Sequence, residues 1–387
     1  MKDVMQRKSG IFFAAVFGVV ILAVVWFRAA PDGITRFIVA GNQFVAVHQL
    51  PARIHVMNGP GYDGQFFFRL ALDPLNFSKT ANGVTLDNQE WRSQRILYPL
   101  LCYLFSFGQP TLVPLAMVAI NTLSFMGITL LVGRLTHRLN PVLMTALLGG
   151  LWMSLARDCS EVTADFFILL CWYLYLNNHA RFSILCGILA VFTKETAIVG
   201  VFSVCVWEIV VSLTKRHINW FLITGYLIPE ILWVLWKIYL RMSIGAAGVG
   251  GSSDFSWPFS GIVHSILLTI HSGKIVSGLM WMAYFIWIFW LACAVISDRY
   301  AGRLSAVFIE TSPLFFFAFF TFTIWSVGFL FFSDAIWGDI WGFMRVSVDF
   351  QVAGVLLLAY RRKLRPFFEG YSLLVGLNTI LLMSLWP

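Results

Sequence analysis

The residues best suited to chemistry lie in the short segment Gly61–Pro74, with the sequence GYDGQFFFRLALDP. Asp63 stands between Gly61 and Gly64, and a carboxylate on such an unencumbered backbone can approach another molecule closely. A carboxylate of this kind can act as a general base, taking the proton of a hydroxyl group as its oxygen attacks. The same tetrapeptide also suits an ordinary turn, because Asp and Gly favour turns. Both interpretations of Asp63 stay open at this point.

Three more polar side chains, Tyr62, Gln65 and Arg69, accompany Asp63 in the same segment. The segment lies within the one long polar interval of a chain that is otherwise apolar almost from end to end. Charged and hydrogen-bonding groups are costly near hydrocarbon, so a cluster of this kind usually has a function. We therefore predict that Tyr62, Gln65 and Arg69 contact a substrate beside Asp63.

Two cations farther along the chain could hold a phosphate group. Arg95 opens the sequence RILYP, which includes Tyr98, and Lys194 stands beside Glu195 in FTKETA. Fixed cations stabilise the charge that develops on a departing phosphate oxygen, most strongly where water is scarce. These four residues are therefore predicted to bind substrate. Two alternatives stay open, because Arg95 could instead extend toward the membrane surface and Lys194 could simply pair with Glu195.

Arg345 completes the set of predicted substrate contacts. It follows a stretch rich in Trp and Phe, so it could also belong to a belt of aromatic side chains at the membrane surface. His48 and His55 are metal ligands by residue type, but two histidines seven residues apart across Pro51 are weak evidence for a metal site. We predict no cofactor. A divalent metal is possible by residue type, but the sequence does not indicate one.

The composition indicates a membrane protein with many spans. Of the 387 residues, 59% are hydrophobic and 12% are charged, whereas about a quarter of the residues of a soluble domain are charged. The basic residues lie in short linkers between apolar runs, so the net charge of +8 does not call for a nucleic-acid partner. The six cysteines form no CxxC pair, which indicates small buried side chains. We expect an all-α polytopic fold in which residues 1–387 form a single membrane domain.

The apolar runs predict about eleven transmembrane helices. The first follows a basic start and is expected to be a retained anchor, with the N-terminus in the cytoplasm. The basic linkers then fall in the cytoplasm and the acidic loops outside, in agreement with the positive-inside rule. The predicted spans are about 11–27, 111–133, 141–156, 164–177, 183–193, 196–213, 219–240, 275–297, 305–332, 346–360 and 370–386.

Residues 28–110 form the predicted first outer loop. Within it, Ile34–Leu50 mixes apolar and polar residues in a way that suits a helix lying in the membrane interface, and Phe66–Leu72 could form a second short one. Arg95–Phe107 is apolar but too short to span, so we predict a re-entrant or interfacial half-helix. This topology brings all of the candidate site residues to one outer face.

These motifs resemble those of bacterial membrane glycosyltransferases of the GT-C superfamily, specifically the cell-surface glycopolymer type. The matching residues are Gly61–Phe67 with the following ALDP, Arg95–Pro99 and Thr193–Thr196. A similar WDG motif occurs in the mannosyltransferases of GPI-anchor assembly, but Tyr62 replaces its Trp, so mannose is not carried over. By position, Asp63 corresponds to the catalytic aspartate of the family.

The resemblance implies a sugar donor linked to polyprenyl phosphate and inversion at the sugar. The implied acceptor is a glycan or lipid of the cell envelope, and the implied location is a bacterial inner membrane with the active site on the periplasmic face. Two other functions stay open. A transporter or flippase for lipid-linked saccharides would show paired halves with polar residues at the membrane midplane, and a noncatalytic subunit of a polysaccharide assembly complex would not need Asp63.

Overall fold

The computed structural model describes residues 16–27, 33–245, 254–271 and 312–359. These residues are predominantly helical, which agrees with the predicted all-α class. Their contacts divide the chain into two compact units, and each is described by itself. The first takes its described residues from Met1–Leu131, Ser154–Phe202 and Trp220–Gly251, and the second from Val132–Met153, Ser203–Asn219 and Ser252–Pro387.

The described helices are numbered in chain order. The first eight are α1 (Val16–Phe27), α2 (Gly64–Leu72), α3 (Gln89–Ser93), α4 (Leu97–Phe105), α5 (Val113–Thr136), α6 (Leu139–Ala146), α7 (Gly149–Ala156) and α8 (Glu161–Leu176). The others are α9 (Ala180–Thr193), α10 (Ile198–Lys215), α11 (Trp220–Ile244), α12 (Ser260–His271), α13 (Pro313–Phe331), α14 (Asp334–Trp337), α15 (Ile340–Val346) and α16 (Val348–Ala359).

Four helical segments are long and apolar enough to cross a membrane among the residues that the structure describes. They are Val113–Thr136, Glu195–Lys215, Trp220–Ile244 and Pro313–Phe331. Helices α6 and α7 form a fifth span if they count as one, although the chain bends by 45° between them. The protein therefore has the helices of a membrane protein.

The predicted spans 111–133, 196–213 and 219–240 agree with three of these segments within a few residues. The predicted span 141–156 is the bent pair of α6 and α7. The predictions at 164–177 and 183–193 fall on α8 and α9, which have 16 and 14 residues. The predicted spans 275–297 and 370–386 lie outside the described residues.

The segment before α5 is not simply helical. The prediction of one interfacial helix over Ile34–Leu50 is wrong, because this stretch forms two short 3₁₀ turns, Ile34–Ile38 and Val47–Gln49. Val39 adopts the left-handed conformation, with φ of 50°, and ends the first turn. The chain then pairs in parallel with a distant strand, through β1 (Ala40–Gly41) and β2 (Val56–Met57). A second pair, β3 (Thr80–Ala81) and β4 (Val84–Thr85), is antiparallel.

Helix α2 packs in the centre of this segment. Its residues Phe66, Phe67 and Phe68 are buried, and Phe67 meets the ring of Tyr98 on α4 edge to face, with centroids 5.5 Å apart. Apolar burial of this size is the main source of stability for so short a helix. The short helices predicted at Phe66–Leu72 and Arg95–Phe107 are thus present as α2 and α4.

The second unit has an aromatic core between α13 and α16. Phe322 stacks on Phe350 with ring centroids 4.3 Å apart, and Phe329 meets the same ring edge to face at 5.0 Å. Trp337 stacks on Phe343 in the same way at 4.2 Å. Pro313 begins α13 at a position where the missing backbone N–H has no partner in any helix.

Candidate active site

Asp63 lies immediately before α2, and its backbone begins the helix. Its carbonyl oxygen accepts hydrogen bonds from the N–H groups of Phe66 and Phe67. Its side chain makes no capping bond to the helix. Instead, Asp63 Oδ1 lies 2.8 Å from Arg92 Nη2. A residue selected only for the turn would use its carboxylate locally, so this geometry favours a role for the carboxylate beyond the turn.

Arg92, the partner of Asp63, is a residue that no motif in the sequence indicates. It lies on α3, where Asn88 caps the helix by accepting a hydrogen bond of 2.9 Å from the N–H of Trp91. Arg92 also donates two hydrogen bonds to Asp87, of 2.9 and 2.7 Å, and its guanidinium lies over the ring of Phe66 at 4.6 Å. One buried cation therefore joins two carboxylates.

The charge of Arg92 is permanent. Burial by itself lowers the pKa of Arg92, but the carboxylates of Asp63 and Asp87 outweigh burial and raise it above its ordinary value. The side chain of Arg92 is 9% exposed and that of Asp63 is 14% exposed. A little of the Asp63 carboxylate is therefore open to solvent while Arg92 fixes its position.

Two glycines allow the backbone to reach this position. Gly61 has φ of +66°, and a Cβ there would lie 2.4 Å from the backbone nitrogen of Gly41. A Cβ on Gly64 would lie 2.4 Å from the carbonyl oxygen of Arg157. Contacts this short do not occur, so both positions require glycine for close packing of backbones. The sequence predicts that these glycines allow the close approach of a substrate, and in the structure they allow the close approach of neighbouring backbone.

Arg95 forms a two-pronged ion pair with Glu195, a residue 100 positions away. Arg95 Nε and Nη2 donate to the two carboxylate oxygens of Glu195 at 2.9 and 2.6 Å. Trp91 covers the guanidinium, with its ring 5.2 Å from Arg95 Cζ. Burial by itself lowers the pKa of Arg95, but Glu195 outweighs burial and the pKa is raised. Arg95 is therefore a buried, permanently charged group and does not extend into the membrane surface.

Lys194 points to a different carboxylate. Its Nζ lies 3.4 Å from Glu161 Oε1, and the two side chains are 2% and 1% exposed. Glu161 begins α8 and also accepts a hydrogen bond of 3.3 Å from Ser154. The simple pairing of Lys194 with its neighbour Glu195 is therefore wrong, because Glu195 is held by Arg95.

These ion pairs are close enough to act on one another. The charge of Arg95 is stabilised by Glu161 and opposed by Arg92, and Lys194 stabilises the charge of Glu195. We call the whole set the charged cluster. Its members are Asp63, Asp87, Arg92, Arg95, Glu161, Lys194 and Glu195.

Tyr62 borders the charged cluster. The guanidinium of Arg157 lies over the Tyr62 ring at 3.9 Å, which is within the range of a cation–π interaction. The N–H of Tyr62 donates to the carbonyl of Val39 at 2.8 Å. Tyr62 is thus a half-buried neighbour of Asp63, and its contact with a substrate stays a prediction.

Gln65 and Arg69 make contacts within the protein. The Gln65 side chain accepts a hydrogen bond of 2.9 Å from the N–H of Gly41 and donates one of 2.8 Å to the carbonyl of Pro60. Arg69 donates bonds of 2.5 Å to the carbonyls of Asn76 and Ser78. Both side chains are buried. In this structure they hold the two loops that flank α2, and a substrate contact for either stays a prediction.

Tyr98 is fully buried in a polar network between helices. Its hydroxyl accepts a hydrogen bond of 2.8 Å from Asn121 on α5 and donates one of 3.3 Å to the carbonyl of Met117. Asn121 in turn accepts a bond of 3.1 Å from Thr163 on α8. The network connects α4 to two longer helices and so helps to fix the position of Arg95. Its contacts are structural.

Arg345 belongs to the second unit, on α15, where its side chain is 8% exposed.

The sequence also missed a second anchor of α3 in the first unit. Glu90 accepts a hydrogen bond of 3.0 Å from Arg241 Nε and pairs with Lys237, both on α11.

The described residues contain no group of three or more His, Cys, Asp and Glu side chains suited to a metal ion. Comparison with protein-family models, curated proteins and solved structures finds no match to this chain. The chemistry of the charged cluster therefore follows from its own residues. It offers a partly exposed carboxylate, Asp63, paired with one fixed cation, Arg92, in a cluster that holds two more cations, Arg95 and Lys194.

Proposed function

We propose that this protein is a membrane glycosyltransferase that transfers a sugar from a polyprenyl-phosphate-linked donor to a glycan or lipid of the cell envelope. The observation that supports the proposal is the position of Asp63. Its carboxylate is partly exposed and is held 2.8 Å from a buried arginine, in a cluster with two more buried cations. A fixed base beside fixed cations is the arrangement that sugar transfer from a phosphate requires.

In the proposed reaction, an acceptor hydroxyl oxygen attacks the anomeric carbon of the donor sugar. The bond from that carbon to the phosphate oxygen breaks, and the leaving phosphate keeps the electron pair. Asp63 takes the proton of the acceptor hydroxyl. The configuration at the sugar inverts, because attack and departure occur on opposite faces.

The ion pair with Arg92 sets the timing of proton transfer. A carboxylate that faces a guanidinium is a weak base toward a neutral alcohol. The hydroxyl becomes much more acidic once its oxygen begins to bond to the sugar carbon. Asp63 therefore accepts the proton late in the step, and Arg92 keeps its carboxylate in position until then.

We further propose the full topology of about eleven spans in a single membrane domain of a bacterial inner membrane, with the N-terminus in the cytoplasm. The charged cluster would then face the periplasm, where residues 28–110 form the first outer loop. The proposal rests on the basic linkers between the apolar runs. Labelling of Asp63→Cys by an impermeant thiol reagent in intact spheroplasts tests it, and labelling only after lysis would reverse the orientation.

The decisive experiment is Asp63→Asn in the full-length protein, reconstituted with labelled polyprenyl-phosphate sugars and envelope acceptors. Loss of the base should slow transfer by about 10²- to 10⁴-fold. Asp73→Asn is the matched control, because Asp73 follows α2, is exposed, and its carboxylate accepts a hydrogen bond only from the nearby side chain of Asn76 among the bonds that the structure describes for it. Undiminished transfer by Asp63→Asn would reject the assigned base, and movement of an intact lipid-linked saccharide without a new glycosidic bond would indicate a transporter.

A further inference from the structure

The carboxylate of Glu195 binds Arg95 in the geometry in which an arginine commonly binds a phosphate group. Arg95 presents Nε and Nη2 to the two oxygens of Glu195, at 2.9 and 2.6 Å. A guanidinium binds two oxygens of a phosphate through the same fork of parallel hydrogen bonds. The contact that a phosphate would need on Arg95 is therefore already filled by a side chain of the protein.

Lys194, the residue before Glu195, has hydrogen-bond donors that are not used. An ammonium group carries three donors, yet Lys194 Nζ forms no hydrogen bond with any residue in the described part of the chain. Its nearest ion-pair partner, Glu161 Oε1, lies at 3.4 Å, whereas charge-assisted bonds are about 2.7–2.9 Å long. The side chain is 2% exposed, so water does not readily meet this need.

The charge balance of the cluster explains why a phosphate could not simply be added. Three cations face four carboxylates in the charged cluster. A phosphate that enters without the departure of a carboxylate would place excess negative charge in a buried site, which is strongly unfavourable. One carboxylate has to move away when the phosphate binds.

Glu195 is the carboxylate best able to move. Its side chain is 15% exposed, whereas that of Glu161 is 1% exposed. It also stands in a single 3₁₀ turn, Glu195–Ala197, at the junction between α9 and α10. Glu161 is held in the first turn of α8.

We propose that Glu195 is a built-in substitute for a phosphate group, which occupies Arg95 until a phosphate-bearing ligand displaces it and bonds to both Arg95 and Lys194. The identification of that ligand as the lipid phosphate of the sugar donor rests on the proposed function. The exchange itself depends only on the site. Glu195 therefore weakens phosphate binding, whereas a residue that touched the donor directly would strengthen it.

The substitution Glu195→Gln separates these two roles. It keeps the volume of the side chain and removes the competing charge, so phosphate affinity should rise by about tenfold or more, given the size of coupling between close charge pairs. Without ligand the variant should be less stable, because Arg95 loses its partner. Added phosphate should restore more stability to Glu195→Gln than to the wild type. If Glu195 only holds the structure together, stability falls and phosphate affinity does not rise.

Glu90→Gln is a matched control. Glu90 is also a buried glutamate paired with two basic side chains, Lys237 and Arg241, but it lies outside the charged cluster. The same substitution there leaves Glu195 on the fork of Arg95, so it should not raise phosphate affinity. An equal gain in Glu90→Gln would overturn the proposal, because the effect would then reflect net charge alone.

The measurement uses the full-length protein in lipid nanodiscs, with inorganic phosphate, pyrophosphate and sugar-free polyprenyl phosphate as separate probes of affinity and thermal stability. A gain with all three probes assigns the site to the phosphate group, and a gain with polyprenyl phosphate alone assigns it to a lipid phosphate. If Glu195→Gln does not fold, Glu195→Asp is the second variant. Its shorter side chain should bind the fork of Arg95 less well and give an intermediate gain in phosphate affinity. No gain in folded Glu195→Asp would overturn the proposed exchange.

Failure of the inference and failure of the proposed function give different results. Sugar transfer by the wild type without a gain in phosphate affinity in Glu195→Gln would remove the inference alone. A gain in affinity without sugar transfer from any donor would remove the glycosyltransferase and keep the anion site.

Discussion

Replacement of Arg92 by Met tests whether one buried cation organises the candidate site. Arg92 lies between Asp63, at 2.8 Å, and Asp87, at 2.7 Å. Met preserves most of the apolar length of the side chain and removes its charge and donors. Two carboxylates then face each other without the cation that holds them, and the position of Asp63 is lost.

The size of the effect follows from burial. Removal of one partner from a buried ion pair costs about 3–5 kcal/mol. Asp87 is 34% exposed and keeps part of its hydration, so we expect a loss near the lower end, about 3 kcal/mol. Because about 1 kcal/mol shifts the melting temperature of a domain of 150–250 residues by 2–4 °C, the shift here should be about 6–12 °C.

The assay combines thermal unfolding of detergent-solubilised protein with the sugar-transfer assay proposed for Asp63→Asn. Arg92→Lys is the control, because it keeps the charge but lacks the planar fork that gives Asp87 two hydrogen bonds while also reaching Asp63. It should retain more stability than Arg92→Met. A double-mutant cycle with Asp87→Asn then separates the contribution of Asp87 from that of Asp63. Arg92→Met with wild-type stability and wild-type transfer would refute the reasoning about the cluster.

Two further predictions concern packing and pH. Gly64→Ala should cost about 1–3 kcal/mol of stability and impair the site, because the new Cβ would lie 2.4 Å from the carbonyl oxygen of Arg157. Gly328→Ala is the control and should not destabilise the protein, because no atom lies within 4 Å of its Cβ. Thermal unfolding of the two variants compares them. Burial alone raises the pKa of Glu90, but its basic partners on α11 outweigh burial and lower it below 4.5. Its stabilising effect is complete above about pH 4.5 and is lost as the pH falls through the lower, folded pKa. Acidification from about pH 7 to about pH 3 should therefore destabilise the wild type more than Glu90→Gln, and equal losses would argue against the anchor.

The long helices were predictable because a continuous apolar run of about 20 residues indicates a membrane-spanning helix. The prediction at 219–240, for example, begins one residue before the helix Trp220–Ile244 and ends inside it, since about 20 apolar residues in sequence have few other stable arrangements. The segment Ile34–Leu50 was not predictable in this way. Its conformation depends on pairing of Ala40 with Val56 and on a bridge between Val45 and Val84. Such contacts override local helical preference and leave no periodic signal.

The sequence indicated which charged residues belong to the candidate site, but it did not indicate which of them form ion pairs with one another. The sequence pointed to Asp63, Arg95 and Lys194 because charge is scarce in an apolar chain. It gave no indication that Arg95 pairs with a residue 100 positions away or that Arg92 is the partner of Asp63. Ion pairs between distant segments depend on how helices are arranged, and a single sequence does not encode that arrangement in a readable pattern.

The short helix α3 explains why these distant pairs have to act together. It has five residues, far fewer than the 12–15 that an isolated helix needs for marginal stability, so its order comes from its contacts. Glu90 attaches α3 to α11, and Arg92 attaches it to Asp63. Arg95, two residues after its end, attaches the chain to the turn before α10. Loss of one attachment loosens the segment that carries the others, so the effects of single substitutions on the position of Asp63 should be strongly non-additive.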